Sequence, residues 1–314
     1  MKARTYYLRF KAPVTELPRA PALFGHLAWM VLWHEGRVRL EAFLQAFEEG
    51  PPPFLLSSAF PVARKGEDRL PLLPRPKRPP LMEKDTRKRK TLKRIRYLSF
   101  SLFRKVAEKG DAPLAEAIED GSHTLFHEAL VPRGYEVAAM SEARTRVGIA
   151  RASGTHAPGV LFTESALRIR EAVIYAAFSS PTYGPAWFAD LLMAIGRQGY
   201  GGKKSIGYGV FDVEDGGEIE LPEAPGANAH TLLSPALPPE GDGWYGLEPY
   251  WGRLGEHFAL GPNPFKRVYI RAVEGSTFRN PPEGKLLDVT PEPAPETEAR
   301  VREYLFPFTL GVRV

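Results

Sequence analysis

The sequence predicts an α+β protein of two domains, and three of its stretches carry that expectation. An alternating strand opens the chain, a helix with a single apolar stripe follows it, and further on a helix, a glycine-rich loop and a strand come in succession. The loop in the last of these, GYGGKKSIGYG from Gly199 to Gly209, holds five glycines and two lysines.

Taken in order, Arg4 to Pro13 alternates, with Tyr6, Leu8, Phe10 and Ala12 on one face and Tyr7, Arg9 and Lys11 on the other. Pro21 opens a helix striped by Leu23, Phe24, Leu27, Ala28, Val31 and Leu32 and ended near Gly36; a second helix covers Leu40 to Phe47. Three prolines at 51–53 stop it, and FLLSSAFPV (54–62) reads as a strand. PLLPRPKRPP (71–80) is expected to be extended, because proline removes donors and fixes φ. Tyr97 to Lys105 is apolar and aromatic, Ala112 to Ala129 reads as helix, and 141–163 reads as a basic hairpin with a small, polar tip from Ser153 to Pro158. A strand at 166–178 follows. Trp187, Phe188, Leu191, Leu192 and Ile195 then recur at helical spacing, and Ile206, Tyr208, Val210 and Val213 read as the strand after the loop.

The Pro/Gly-rich stretch Leu221 to Gly243 reads as a linker, with a boundary near 214–220. Val268 to Val273 and Tyr304 to Val314 are the strand-like segments beyond it. Residues 1–215 thus run strand, helix, strand, insertion (75–163), strand, helix, strand, the βαββαβ order of a ferredoxin-like domain. Residues 216–314 form the smaller, acidic domain.

Composition narrows the function. The absence of cysteine removes disulfides and thiolate catalysis, and no apolar run approaches the roughly 18 residues of a membrane span. MKARTYYLRF enters a strand directly and lacks a signal-peptide core, so a cytoplasmic location with no membrane partner is expected. The formal charge of +5 conceals an asymmetry: residues 1–213 carry 33 Lys/Arg against 21 Asp/Glu, and 214–314 carry 9 against 16. A basic front and an acidic back suggest a nucleic-acid face and a separate surface for other partners. The densest charge lies between Arg75 and Arg96, where eleven Lys/Arg, among them Lys88, Arg89, Lys90, Lys93 and Arg94, meet only Glu83 and Asp85. That density points to phosphate contact; a charged loop without a specific partner is the alternative.

The glycine loop is read the same way. Gly199, Gly201 and Gly202 let backbone amides approach a phosphodiester, Lys203 and Lys204 supply charge, and Ser205 completes the cradle; a glycine-rich turn is the plain alternative. A nucleotide P-loop is excluded by order, since it runs strand, loop, helix, and by spelling, since Lys203 is followed by Lys204 where Ser or Thr is needed. No cofactor is expected.

These residues, together with PALFGHLAW, LLSSAFP, LKRIRYLSF and VGIARASGTHAPGVLF, resemble the repeat-associated RAMP superfamily of CRISPR systems. Within it the chain is similar to the subunit that binds the 5′ handle of the guide RNA in type III-A (Csm) effector complexes. The likeness covers most of residues 1–213 as scattered motifs. It implies two ferredoxin-like domains, RNA binding without catalysis, and partners comprising the crRNA 5′ handle, a large polymerase-like subunit and a neighbouring backbone RAMP subunit. It also implies a thumb hairpin near target RNA, placed at Glu142 to Phe162, with Arg144, Arg146 and Arg151 as phosphate clamps and Thr155 and His156 near the tip.

Related RAMP proteins cut precursor RNA with a histidine near the first helix, and His26 holds such a position. A metal-independent endoribonuclease with His26 as general base is therefore the alternative function, and an RNA-binding protein outside any CRISPR complex is a third. In the processing enzymes, however, the glycine loop lies close to the C-terminus, whereas about a hundred residues follow Gly209 here. His123 and His127 are spaced to share a helix face, but Thr124 stands where HExxH has glutamate, so no metal site is expected.

Overall fold

The computed structural model describes all residues except 80–85, 150–152, 154 and 296–299; the side chains of 86–88 and 156–160 are also outside the description. The chain opens with β1 (Lys2–Phe10), α1 (Ala20–Glu35) and α2 (Arg37–Glu48), then β2 (Phe54–Leu56), β3 (Phe60–Lys65) and β4 (Asp68–Pro74). Next come α3 (Thr86–Arg94), β5 (Tyr97–Ser99), α4 (Phe100–Lys109), α5 (Ala112–Glu119), β6 (His123–Phe126) and β7 (Ala129–Pro132). A long hairpin of β8 (Ala139–Ile149) and β9 (His156–Ile169) leads to β10 (Glu171–Phe178), α6 (Pro185–Gln198) and β11 (Phe211–Glu220).

Among the described residues nine strands share one sheet, in the order β11-β1-β10-β3-β4-β5-β7-β6, with β2 also on β10. Numbering β1, β2/β3, β10 and β11 as first to fourth gives the spatial order 4-1-3-2, with every pairing antiparallel. With α1 and α6 as the two crossovers, this is the βαββαβ arrangement expected for the first part of the chain. The insertion extends the same sheet through β4, β5, β7 and β6.

Tyr6, Leu8 and Ile174 face α1 and α6, where Phe24, Leu27, Phe188, Leu192 and Ile195 are buried against them. On the opposite face Val173 and Tyr175 pack with Leu102, Phe103 and Val106 of α4. Both faces are therefore covered, and each fully buried Leu or Phe contributes roughly 1.5–3 kcal/mol of transfer free energy.

Several expectations change. Ala112 to Ala129 is not one helix: α5 stops at Glu119, Gly121 turns at φ 68°, and β6 and β7 form a hairpin. His123 thus sits on a strand and His127 in the turn at φ 52°, and they share no helix face. Leu72 to Pro74 of the proline-rich run pair with Tyr97 to Ser99 as strand β4. Tyr97 to Lys105 divides into β5 and the start of α4, with Ser99 capping the helix through the Leu102 amide. The strand at 166–178 breaks at Arg170, and the one after the glycine loop begins at Phe211, because Lys204 to Ile206 forms a 3-10 turn.

Beyond Leu221 lie β12 (Ala229–Leu232), β13 (Gly243–Trp244), β14 (Leu247–Tyr250), β15 (Tyr269–Ala272), β16 (Thr277–Phe278), β17 (Leu286–Asp288), β18 (Arg302–Tyr304) and β19 (Thr309–Val312). Four of them form the sheet β13-β16-β12-β19, and the rest pair as β14-β15 and β17-β18. Among the described residues this part has no α-helix, so the two helices of a second ferredoxin-like unit are missing from it. Proline recurs through it and withholds the amides a helix needs.

The expected boundary at 214–220 falls inside β11, which pairs with β1 along its length. The C-terminal segment returns to the first part: Tyr304 stacks on Phe24 at 4.9 Å and its hydroxyl accepts the Leu56 amide at 3.0 Å, while Phe308, Leu310 and Val312 join the α4 face.

Candidate nucleic-acid interface

The glycine loop is closed at its neck. α6 ends at Gly199, the Tyr200 amide donates to the Gly209 carbonyl at 2.9 Å, and the Gly209 amide donates to Pro13 at 2.9 Å. A Cβ on Gly209 (φ 72°) would lie 2.1 Å from the Tyr200 carbonyl oxygen, and one on Gly199 (φ 89°) 2.5 Å from that of Tyr208. These glycines are required by the crossing of the loop's own strands, before any ligand is considered. Gly202 faces open space.

His26 reaches the loop from α1. Its Nε2 accepts the Gly201 amide at 3.3 Å and its ring packs on Tyr200 at 5.1 Å. Burial, reinforced by the nearby Lys204 ammonium, lowers its pKa to about 4. The imidazole is therefore neutral at pH 7 and already engaged as an acceptor.

The lysines and the hairpin arginines are paired within the fold. Lys203 and the Arg146 guanidinium both donate to Glu164, as does the Tyr208 hydroxyl at 2.9 Å. Arg144 pairs with Glu142 and Lys204 with Glu256. Arg144, Arg146 and Lys203 also lie 5.6, 5.4 and 5.7 Å from the Tyr208 ring centroid, within cation–π range. The Lys203 hydrogen bond, followed by those of Arg146 and Tyr208, holds the Glu164 carboxyl down to about 2. At the hairpin tip Thr155 is exposed, its hydroxyl 2.8 Å from that of Ser153; Arg151 lies outside the described residues, as does the His156 side chain.

The basic cluster divides in two. Arg75 pairs with Asp111, Arg96 with Glu128, Lys77 donates to the Glu274 carbonyl at 2.9 Å, and Arg78 donates to the carbonyls of Ala107 and Arg313. Arg75, Lys77 and Arg78 are partly buried ties within the fold, Arg96–Glu128 is an exposed surface pair, and burial lowers Lys77 to a pKa of about 8. Helix α3 differs. Leu92 beneath it is buried, while Arg89, Lys90, Lys93 and Arg94 are exposed and have no carboxylate partner among the described residues; the Lys88 side chain is outside the description.

Arg89, Lys93 and Arg94 line a cleft of about 1520 Å³. Met140 and Ser141 at the hairpin base form another part of its wall, and Tyr97, Trp244 and Tyr245 add aromatic surface. Charge beside accessible rings is the arrangement that single-stranded nucleic acid takes, phosphates on the cations and bases on the rings. The structure thus brings the hairpin base together with α3 at the cleft, and with the glycine loop at Glu164. Sequence reading overlooked Glu164, Tyr208 and the aromatic residues of the C-terminal part. The alternation of β9, which puts Glu164 across from Arg144, was the available signal for the first of these.

No helix among the described residues is long and apolar enough to cross a membrane. No family model matches the sequence, nor does any curated protein. Solved structures do match. A chain of a Csm1-Csm4 cassette in complex with cA4 is 21% identical, with a TM-score of 0.62 over 100% of this chain and 99% of that one. A chain of a Csm3-Csm4 subcomplex of the type III-A CRISPR-Cas interference complex is 14% identical, with a TM-score of 0.66 over 99% and 100%. Over its whole length, therefore, the chain shares the mixed α+β fold of those chains of Csm assemblies.

Proposed function

We propose that this protein is a non-catalytic, RNA-binding subunit of a type III-A CRISPR interference complex. It grips the repeat-derived 5′ handle of the guide RNA and bridges the large polymerase-like subunit to the backbone RAMP filament. The observation that carries the RNA-binding reading is the α3 cleft, where exposed cations that have no carboxylate partner among the described residues share a wall with the exposed Tyr245 ring. Csm4 is common to both matching assemblies, with Csm1 in one and Csm3 in the other, which supports a bridging position for a chain of this fold. The β8–β9 hairpin suits the thumb that lies near target RNA, and this role implies a cytoplasmic location.

A binder is favoured over a nuclease by the state of His26. A general base near neutral pH needs a free nitrogen and a pKa close to the working pH, whereas His26 Nε2 accepts the Gly201 amide and titrates near 4.

The test is co-purification from the native host followed by a salt titration. Small guide RNA and other complex subunits should accompany the protein. Replacing Arg89, Lys93 and Arg94 together with alanine should lower handle affinity and reduce the slope of log K against log salt by about 2, near 0.7 for each lost single-strand phosphate contact. A protein that elutes alone and free of RNA, or an unaltered slope, would overturn this reading.

A further inference from the structure

The carboxylate at the junction of hairpin and glycine loop has no part in the function argued so far. Glu164 receives three donors at its two oxygens: Arg146 from the facing strand, and Lys203 and Tyr208 from the loop. Two cations and a hydroxyl converging on a pair of anionic oxygens is also the donor set that binds the non-bridging oxygens of a phosphodiester. The cations lie outermost, with Lys203 33% and Arg146 30% exposed against 10% for Glu164. An approaching anion meets them first.

Position adds a second argument. Among the described residues strands β8 and β9 form a two-stranded sheet of their own. A backbone bridge between Val14 and Leu167 ties their base to the body. Glu164 is three residues further out, and beyond it Val147, Ile149 and Leu161 are exposed. The Glu164 cluster is thus the outer tie between hairpin and loop.

We propose that Glu164 stands, in the RNA-free chain, where an RNA phosphate binds. A phosphodiester that displaces it from Lys203 and Arg146 releases the outer hairpin from the glycine loop. Entry of a strand at the loop is thereby coupled to freedom of the hairpin, and Glu164 sets the threshold for both. This rests on the RNA-binding reading above.

The chain has no cysteine, so Thr145→Cys and Gln198→Cys, both at exposed positions, allow a pair of spin labels to be placed without interference. Single-stranded repeat RNA should lengthen and broaden the label distance in the otherwise wild-type protein. Glu164→Gln should show the broad distribution without RNA. It should also bind RNA about fivefold more tightly at 0.1 M salt, with a slope steeper by about 0.7, one additional phosphate contact.

Glu142→Gln removes the same charge from the same hairpin without touching the loop, and should leave the distances as in wild type. Tyr208→Phe, which deletes one donor to Glu164, should broaden the label distances without RNA by less, and serves for that readout if Glu164→Gln does not fold. Bound RNA with unchanged distances, or a Glu164→Gln protein indistinguishable from Glu142→Gln, overturns the proposal while leaving RNA binding intact. Absence of RNA binding by every form overturns the RNA-binding reading itself.

Discussion

Replacing His26 with glutamine isolates one titration and one hydrogen bond. In the folded protein the His26 pKa falls from 6.5 to about 4, mainly through burial, and the neutral ring accepts the Gly201 amide. Between those two values the unfolded chain binds a proton that the folded chain refuses, so stability falls as pH drops from about 6.5 to 4 and levels off below. A shift of this size is equivalent to about 3 kcal/mol at 1.36 kcal/mol per unit. Glutamine offers an uncharged acceptor at every pH. The difference in unfolding free energy between wild type and His26→Gln should therefore swing by about 3 kcal/mol against wild type across the window, or some 5 °C in melting temperature for a chain of this length unfolding in one step. The assay is urea unfolding at closely spaced pH values. The carboxylates that also titrate there are common to both proteins and cancel in the difference. A difference that stays flat from pH 7 to 4 would refute the assignment of a half-buried, neutral His26 as the acceptor for the loop.

Three further outcomes are expected. Gly209→Ala should destabilise the fold by more than about 2 kcal/mol in chemical denaturation, because its Cβ would lie 2.1 Å from the Tyr200 carbonyl oxygen at a φ of 72°; Gly202→Ala, with open space around it, should stay within about 0.5 kcal/mol. Arg19→Ala should cost about 3 kcal/mol, since Arg19 is bidentate to Glu274 at 3.0 and 2.7 Å and its loss leaves a largely buried carboxylate uncompensated. That substitution should also speed proteolysis of the segment around residue 274, which the pair ties to the start of α1. His26→Ala and wild type should both fail to cleave repeat RNA, and cleavage by wild type alone would restore the nuclease alternative.

The elements readable in the sequence are those whose pattern is set by one packing surface. The stripe of Leu23, Phe24, Leu27 and Val31 gave α1, and the alternation of Tyr6 and Leu8 gave β1, since each repeats with the period of its own backbone. The hairpin was legible because its arginines and tip residues lack apolar periodicity. Helix α5 was overextended because HTLFHEAL carries enough apolar residues for either state, and Gly121 decides it only once β7 is present to pair with β5 and β6. A second ferredoxin-like domain for the C-terminal part rests on the family resemblance alone, and its strands pair over long separations that no local pattern records.

By itself the sequence determined the charge asymmetry, the helix-loop-strand setting of the glycine loop and the βαββαβ order of the first part, because these depend on residue type and local period. Tertiary structure alone decided which charges remain available. Lys203, Lys204, Arg144 and Arg146 look like an open phosphate site in the sequence, but in the RNA-free chain each meets a carboxylate, Glu142 or Glu164 of the hairpin or Glu256 of the C-terminal part, whereas Arg89, Lys93 and Arg94 stay unpaired among the described residues. An ion pair depends on distance in space, and only folding sets that distance for residues far apart along the chain.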